Sequence, residues 1–459
     1  AGAGMTWRLL RLALALGCGL GFAPVDSGRS AAYAQGERNS SPSTSTPIPS
    51  RTVTLDEALA TARARQPQLR QAHATSEAAA ARADEARSPL LPQVSAIAQY
   101  ERSSGNVVPR TGTAASATSL GSRNFYQACV TASQLVFDFG QTTGRWDAAK
   151  ASATAQRDNE RTTALQATLA VRTAYFTARA DQDLVGVARD NLANQELHLR
   201  QTEAFVRLGT RPEIDLALAR TARANAQVQL INAENAYATA KAQLNQAMGV
   251  EESTEYAVGT ETIPPVAGED QGIDALVEEA VRARPDIAAL HEQARAQELT
   301  ARSVEGGYGP ALGVSAGVNE AGTALDATVG NWNLTATLTW NLFQGGLTRA
   351  QSREARANLD AARAQIDVLR QQVRVDVEQA RLAVRAGKAA LAAAGEALVN
   401  AREQLRLAEG RYQAGAGSAI ELADAQVALT TAAAQRVQAD YNLAASRAQL
   451  LRALGREDA

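Results

Sequence analysis

The most regular hydrophobic pattern in the chain repeats every seven residues. It runs through Leu359, Ile366 and Val373 and, after one change of phase, through Val384, Leu391, Leu398, Leu405 and Tyr412. A seven-residue apolar repeat is typical of helices that pack as a coiled coil, and a change of phase is a stutter that alters the supercoil. The pattern predicts a long packed helix in the second half of the chain.

The positions of proline extend this prediction, because proline breaks or kinks a helix. There is no proline between Pro109 and Pro212, and none after Pro310. A single helix over residues 141–206 would be about 100 Å long at ~1.5 Å per residue. No single globular domain contains such an element, although periodicity alone would also suit a free-standing rod or a helical bundle.

Strict alternation of apolar and polar residues predicts β-strands elsewhere. Residues 333–343 place Leu, Ala and Trp on one face and Asn and Thr on the other, and residues 310–319 alternate in the same way. Residues 94–100 and 128–132 show the same phase more weakly. About ten alternating residues are what a transmembrane β-strand needs. The alternative is a pair of amphipathic hairpins packed on a soluble core.

The chain is an internal duplication. A shift of 206 residues aligns Gly140 with Gly346 and Gly209 with Gly415 without a gap. Upstream of the strands the shift is 218, so the first copy carries 12 extra residues, which we place at 110–121. Each copy is predicted as helix, strand, loop, strand, very long helix, turn and helix.

Domain boundaries follow from the duplication. We expect a first repeat over residues 54–249, a linker over 250–272 and a second repeat over 273–456. Residues 1–34 have the basic, apolar and Ala-x-Ala layout of a secretory signal peptide, after a short upstream extension. Residues 35–53 are rich in Ser, Thr and Pro, and we expect a disordered leader.

Composition narrows the class of protein. Lys and Arg number 46 against 48 Asp and Glu, which argues against a protein that tracks nucleic-acid phosphates. About a hundred residues are alanine and only 4% are aromatic, which favours thin helical packing over a thick globular core. Two cysteines and three histidines leave little room for a metal site. We expect no cofactor and no metal, and the signal residue Cys18 leaves a lipid anchor open.

Four strands are too few to close a barrel. Outer-membrane barrels have at least about eight strands, and an open sheet edge in lipid would leave backbone groups unpaired. Closure therefore requires several chains, and three copies would supply twelve strands. This step predicts a homo-oligomer without fixing its number of subunits.

Two pairs of motifs occur in the same order at fixed spacing. The segments VFDFG and LFQGG stand at the strand-to-helix joints, and RLGTRPEIDLALA and RYQAGAGSAIELADAQ stand at the turns between helices. In this combination the chain resembles the TolC-type outer membrane efflux protein family, over about residues 54–456. The resemblance implies a mainly α fold with a small β part: as a homotrimer, a 12-stranded outer-membrane β-barrel on a long periplasmic α-helical barrel.

The resemblance also implies a function. Such a protein is a passive exit duct of a tripartite efflux or type I secretion system in the bacterial outer membrane, with a periplasmic extension. It would be opened at its periplasmic tip by an adaptor protein and powered by an inner-membrane pump, and it would not be an enzyme. The exported substrate and the energy source of the pump stay open.

Site residues are implied by position in the family pattern. The adaptor would dock on the tips at Leu208, Gly209, Thr210, Gly415, Ala416 and Ser418. The aperture would be formed by Glu421, Asp424, Tyr412 and, as a weaker candidate, Asp215. A ring of carboxylates on a threefold axis favours cations. The family's latch often pairs a Tyr with an Arg, and Gly417 stands where the Arg would be.

Structural roles compete with these assignments. Ser418 and Glu421 also match a capping box, as do Thr210 and Glu213. The joint glycines, which are Gly140, Gly345 and Gly346, are expected to permit a sharp passage from strand to helix rather than to bind phosphate. His73 and His291 occupy equivalent positions and are expected to be surface or packing residues.

Two other classes of protein remain as alternatives. A periplasmic coiled-coil structural or adaptor protein would share the long helices, but an adaptor would carry a lipoyl-like segment that the sequence does not show. A carboxylate-based envelope hydrolase would need an acid pair in a cleft, and none is evident.

Overall fold

The computed structural model describes residues 51–104, 122–251 and 255–457. The predicted signal peptide, nearly all of the predicted leader and the insertion at 110–121 lie outside these described residues. The last three residues of the predicted leader are not disordered, because they form strand β1 (Arg51–Val53). This strand pairs in parallel with β4 (Tyr256–Val258), which lies in the predicted linker.

The first copy begins with two helices rather than the single predicted one. Its elements are α1 (Leu55–Arg65), α2 (Pro67–Arg87), a 3-10 turn at Ser88–Leu90, β2 (Gln93–Ser104), β3 (Ser122–Phe137), α3 (Gln141–Arg207) and α4 (Glu213–Met248). Gln66 between the first two helices is extended, with ψ 119°. A residue before proline is disfavoured in the helical region, so Pro67 ends α1 and starts α2.

The second copy repeats this order. Its elements are α5 (Ile273–Ala283), α6 (Pro285–Gly306), β5 (Ala311–Gly322), β6 (Thr328–Thr339), α7 (Leu347–Gln413) and α8 (Ala419–Leu454). Helices α3 and α7 both have 67 residues, and α4 and α8 both have 36. At ~1.5 Å per residue the longer pair spans about 100 Å, and α3 matches the predicted helix to within one residue.

The four long strands form one antiparallel sheet in the order β2-β3-β5-β6. Strand β3 pairs with β5, with Val130 opposite Val318, so the two copies join in the middle of the sheet. Strand β6 ends at Thr339, opposite Ala311, the first residue of β5. The strand predicted over residues 333–343 was therefore placed too late, because Pro310 has no N–H with which to continue the ladder.

The apolar sides of the four strands make one surface. Val94, Ala132, Ala316 and Leu334 lie side by side across the sheet in this order. This surface is exposed in the single chain, with relative accessibilities of 70% for Val94 and 67% for Leu334. A continuous apolar surface on an uncovered sheet marks a contact with lipid or another protein.

The main hydrophobic core lies where the long helices pass the short β1-β4 sheet. Tyr175 and Phe176 of α3, Leu244 of α4, Val373 of α7 and Leu451 of α8 are all buried there. Burial of these side chains supplies the largest apolar contribution to holding the two copies together.

The seven-residue pattern is confirmed on α7. Six of its eight positions are buried and two are partly buried: Ile366, Val373, Val384, Leu398, Leu405 and Tyr412, then Leu359 and Leu391. Among the described helices, none combines the length and the apolar character that a membrane-spanning helix requires.

Candidate functional site

Each long helix ends in a tight turn that leads into a 36-residue helix. After α3, Gly209 adopts φ 72°, and after α7, Gly415 adopts φ 75°. This left-handed conformation favours glycine because it has no Cβ, and it closes the helix by turning the chain back onto its last carbonyls. We call residues 208–212 the first tip and residues 414–418 the second tip.

Thr210 ends a helix rather than starting one. Its hydroxyl donates to the Phe205 carbonyl at 2.9 Å, and its backbone N–H donates to the same oxygen at 3.0 Å. The N-cap residue of α4 is Pro212, and Glu213 is the first residue of the helix. The capping box predicted for Thr210 and Glu213 is therefore wrong, because the turn uses Thr210 to satisfy the C-terminus of α3.

Ser418 does cap its helix. Its side-chain oxygen accepts from the Glu421 N–H at 3.1 Å. The Glu421 carboxylate lies 3.2 Å from Arg411 Nη1, so its charge is partly neutralised within the chain. Asp424, about one turn further along α8, is exposed. Asp215, the counterpart of Glu421 in the first copy, is half-buried.

Tyr412 is the most buried of the predicted site residues, with 2% of its surface exposed. Its ring lies 5.3 Å from the ring of His198 and 6.3 Å from that of Phe205, both on α3. The guanidinium of Arg211 lies over the ring at 4.4 Å from its centre. Tyr412 therefore anchors the end of α7 against the first copy rather than facing solvent.

Arg211 joins the two tips and was not singled out by the sequence. Its Nη2 donates to the carbonyl of Tyr412 at 3.4 Å and to that of Gly417 at 3.2 Å. The 206-residue shift pairs Arg211 with Gly417 and Val206 with Tyr412. The first copy therefore has an Arg at the position where the second copy has Gly417. This difference can be seen by aligning the two copies.

The strand-to-helix joints use left-handed backbone. Gly140 and Gly346 are the N-cap residues of α3 and α7, with φ 83° and 85°. Gly345 has φ 60°, and the equivalent Phe139 has φ 54°. In the first copy the buried Asp138 carboxylate accepts from the Thr142 N–H at 2.7 Å, so Asp138 stabilises the start of α3.

The predicted surface histidines have no grouping suited to a metal. His73 lies 3.0 Å from Glu160 and 3.4 Å from Glu77, with 63% of its side chain exposed, and His291 is exposed. Within residues 51–104, 122–251 and 255–457, no cluster of three His, Cys, Asp or Glu residues could hold a metal ion.

Comparison with known protein families gives a match over most of the chain. The family model described as outer membrane efflux protein matches residues 58–250 and 276–456. Sequence comparison with curated proteins gives no match.

Solved structures share the fold at low sequence identity. A membrane protein from Pseudomonas aeruginosa is 20% identical, with a TM-score of 0.77 over 88% of this chain and 90% of the other. The outer membrane channel CmeC of Campylobacter jejuni is 18% identical, with a TM-score of 0.75 over 87% and 85%. The open state of the MtrE outer membrane channel of Neisseria gonorrhoeae is 21% identical, with a TM-score of 0.73 over 88% and 89%.

Proposed function

The chain belongs to the outer membrane efflux protein family, and on this basis we propose that it is the trimeric exit duct of a tripartite efflux or type I secretion system. It sits in the bacterial outer membrane after removal of residues 1–34 as a signal peptide. Transport is powered by an inner-membrane pump and reaches the duct through a periplasmic adaptor.

The sheet carries the argument for a trimer in the membrane. Its outer strands are β2 and β6, whose outer edges hold backbone groups that lipid cannot satisfy. Pairing β6 of one chain with β2 of the next would remove these edges. Three chains would then form a twelve-stranded barrel, with the exposed surface of Val94, Ala132, Ala316 and Leu334 toward lipid.

The helices supply the periplasmic part of the duct. Helices α3 and α7 extend about 100 Å from the sheet joints to the tips. The predicted docking residues at both tips, which are Leu208, Gly209, Thr210, Gly415, Ala416 and Ser418, are all exposed. Leu208, with 75% of its surface exposed, is an apolar contact that an adaptor would cover.

The aperture is held closed by contacts between the two tips. Arg211 binds the Gly417 carbonyl of the second tip and both the carbonyl and the ring of Tyr412 at the end of α7. On a threefold axis Asp424 would contribute three exposed carboxylates, whereas Glu421 is paired with Arg411. Movement of the tips apart on adaptor binding would break the Arg211 contacts and widen the passage.

The trimer is tested in outer-membrane fractions and planar bilayers. We expect the processed full-length protein to migrate as a heat-resistant trimer and to form cation-selective channels, since acidic rings favour cations. A water-soluble monomer without conductance would contradict the proposal and favour a periplasmic coiled-coil structural protein.

Separate substitutions of the neighbouring carboxylates Asp424 and Glu421 test the aperture assignment. Asp424→Ala should lower cation selectivity and weaken block by divalent cations more than Glu421→Ala does, because Arg411 already offsets the charge of Glu421. Equal selectivity and block in wild type and Asp424→Ala would remove Asp424 from the aperture.

A further inference from the structure

A small polar pocket lies beside the tips, between α3, α7 and α8. Its volume is about 70 Å³. It is lined mostly by polar side chains, namely Asn194, His198 and Gln201 of α3, Glu409, Tyr412 and Gln413 of α7, and Gln426 of α8, together with two leucines. A water molecule needs roughly 10–15 Å³ of such space, so the pocket can hold water.

Four buried polar atoms at this helix contact have no hydrogen-bond partner among the described residues. They are Gln195 Oε1, His198 Nδ1, Thr202 Oγ1 and Tyr412 OH. Buried polar groups are nearly always satisfied by protein or water. Four such atoms at one contact distinguish it from the apolar packing elsewhere on α7, and the adjoining pocket has room for the water that would satisfy them.

His198 is the ionisable group at the centre of this contact. Its partial burial lowers its pKa, while the nearby negative charge of Asp215 acts in the opposite direction. The groups that face it from α7 are Glu409 and the Tyr412 ring. Helix α8 contributes only the uncharged Leu422 and Gln426 to the pocket, and the Arg211 cation already lies over the same Tyr412 ring.

We infer that the pocket around His198 is a proton-sensitive lock on the tips. Neutral His198 packs against Tyr412 and lets α3 and α7 close. Protonation would place a second cation beside the ring that Arg211 covers, in a site that is partly removed from water. The lock adds a pH dependence to the proposed opening of the duct, and the role of the lock in gating rests on that proposed function.

The direction of the pH dependence follows from linkage. A pocket that lowers the pKa of His198 binds the proton more weakly than an open tip, where the imidazole meets water and has its ordinary pKa of about 6.5. Stability of the closed tip is therefore complete above this pH. It falls as pH decreases from that value toward the lowered pKa of the closed tip, so mild acid favours opening.

Hydrogen exchange on the full-length protein in detergent micelles tests the lock. Exchange of peptides covering residues 192–206 and 404–418 would be compared between variants at the same pH, so that the intrinsic pH dependence of exchange cancels. Because His198→Gln also removes the ring contact with Tyr412, the test is the ratio of exchange in wild type to exchange in the variant. We expect this ratio to rise at least about twofold between pH 7.5 and pH 5.5. His291→Gln, at an exposed histidine, should behave as wild type.

The lock is overturned if the ratio of exchange in wild type to exchange in His198→Gln is the same at pH 5.5 and at pH 7.5. If His198→Gln does not assemble, His198→Asn provides the same comparison. Exchange requires no channel, so an acid response without conductance would remove the proposed duct and keep the lock. A conducting duct whose tip exchange does not depend on His198 would remove the lock and keep the proposed duct.

Discussion

The two helical hairpins have the same lengths and turns, but between the main core and the tips they are held together by different interactions. In the first hairpin, α3 and α4 are linked by three ion pairs, which are Arg189–Glu234 at 2.9 Å, Glu196–Arg223 at 3.5 Å and Glu203–Arg220 at 3.8 Å. In the second, Leu398, Ala401, Leu405 and Ala408 of α7 pack with Leu422, Ala425 and Ala432 of α8.

Equal helix lengths in the two hairpins therefore do not imply equal stability. Duplication preserved the helix lengths, yet exposed ion pairs contribute only about 0–1 kcal/mol each, whereas a buried leucine contributes about 1.5–3 kcal/mol. The second hairpin should therefore be the more stable of the two in a single chain. Both hairpins also carry exposed apolar residues, such as Ile231 at 57% in the first and Val427 at 65% in the second.

The largest expected effect comes from the matched leucines of the two hairpins. Leu405→Ala should destabilise the second hairpin by about 2–4 kcal/mol, because it leaves a cavity in a packed core. Leu199→Ala at the equivalent, half-buried position of the first copy should cost clearly less. Native-state hydrogen exchange of the two hairpins measures both, and equal costs would show that their packing does not differ.

The link between the hairpins should give an intermediate effect. Arg211→Ala removes two hydrogen bonds and a cation–π contact, and should favour opening of the tips by about 1–3 kcal/mol. Arg207→Ala, at the exposed last residue of α3, is the control. The open fraction of single channels reports the change. An unaltered open fraction in Arg211→Ala would show that Arg211 does not hold the tips closed.

The smallest effect should come from the ion pairs of the first hairpin. Glu203→Gln should change its opening free energy by less than about 1 kcal/mol, and the change should vanish in 1 M salt because exposed pairs are screened. Exchange of α3–α4 peptides at low and high salt measures this. If the exchange rates depended on salt only in the second hairpin, the assignment of ion pairs to the first hairpin would be contradicted.

Some elements could be predicted closely from the sequence because local rules define their ends. Helix α3 begins after Gly140 and ends before Gly209, both in left-handed conformation, and no proline interrupts it. The capping of α8 by Ser418 was also predictable, since it depends on residues three positions apart. The end of β6 was not, because it depends on where its partner β5 begins.

The sequence by itself determined the duplication, the lengths of the long helices and which side of each strand is apolar, because these follow from local conformation and periodicity. Only the tertiary structure decided that Arg211 and His198 meet Tyr412, and that Arg411 pairs with Glu421. The Arg211 and His198 contacts depend on how the first copy packs against α7 and α8, and the Arg411–Glu421 pair depends on how the second tip sets α8 against α7. No spacing along one chain segment encodes that relation.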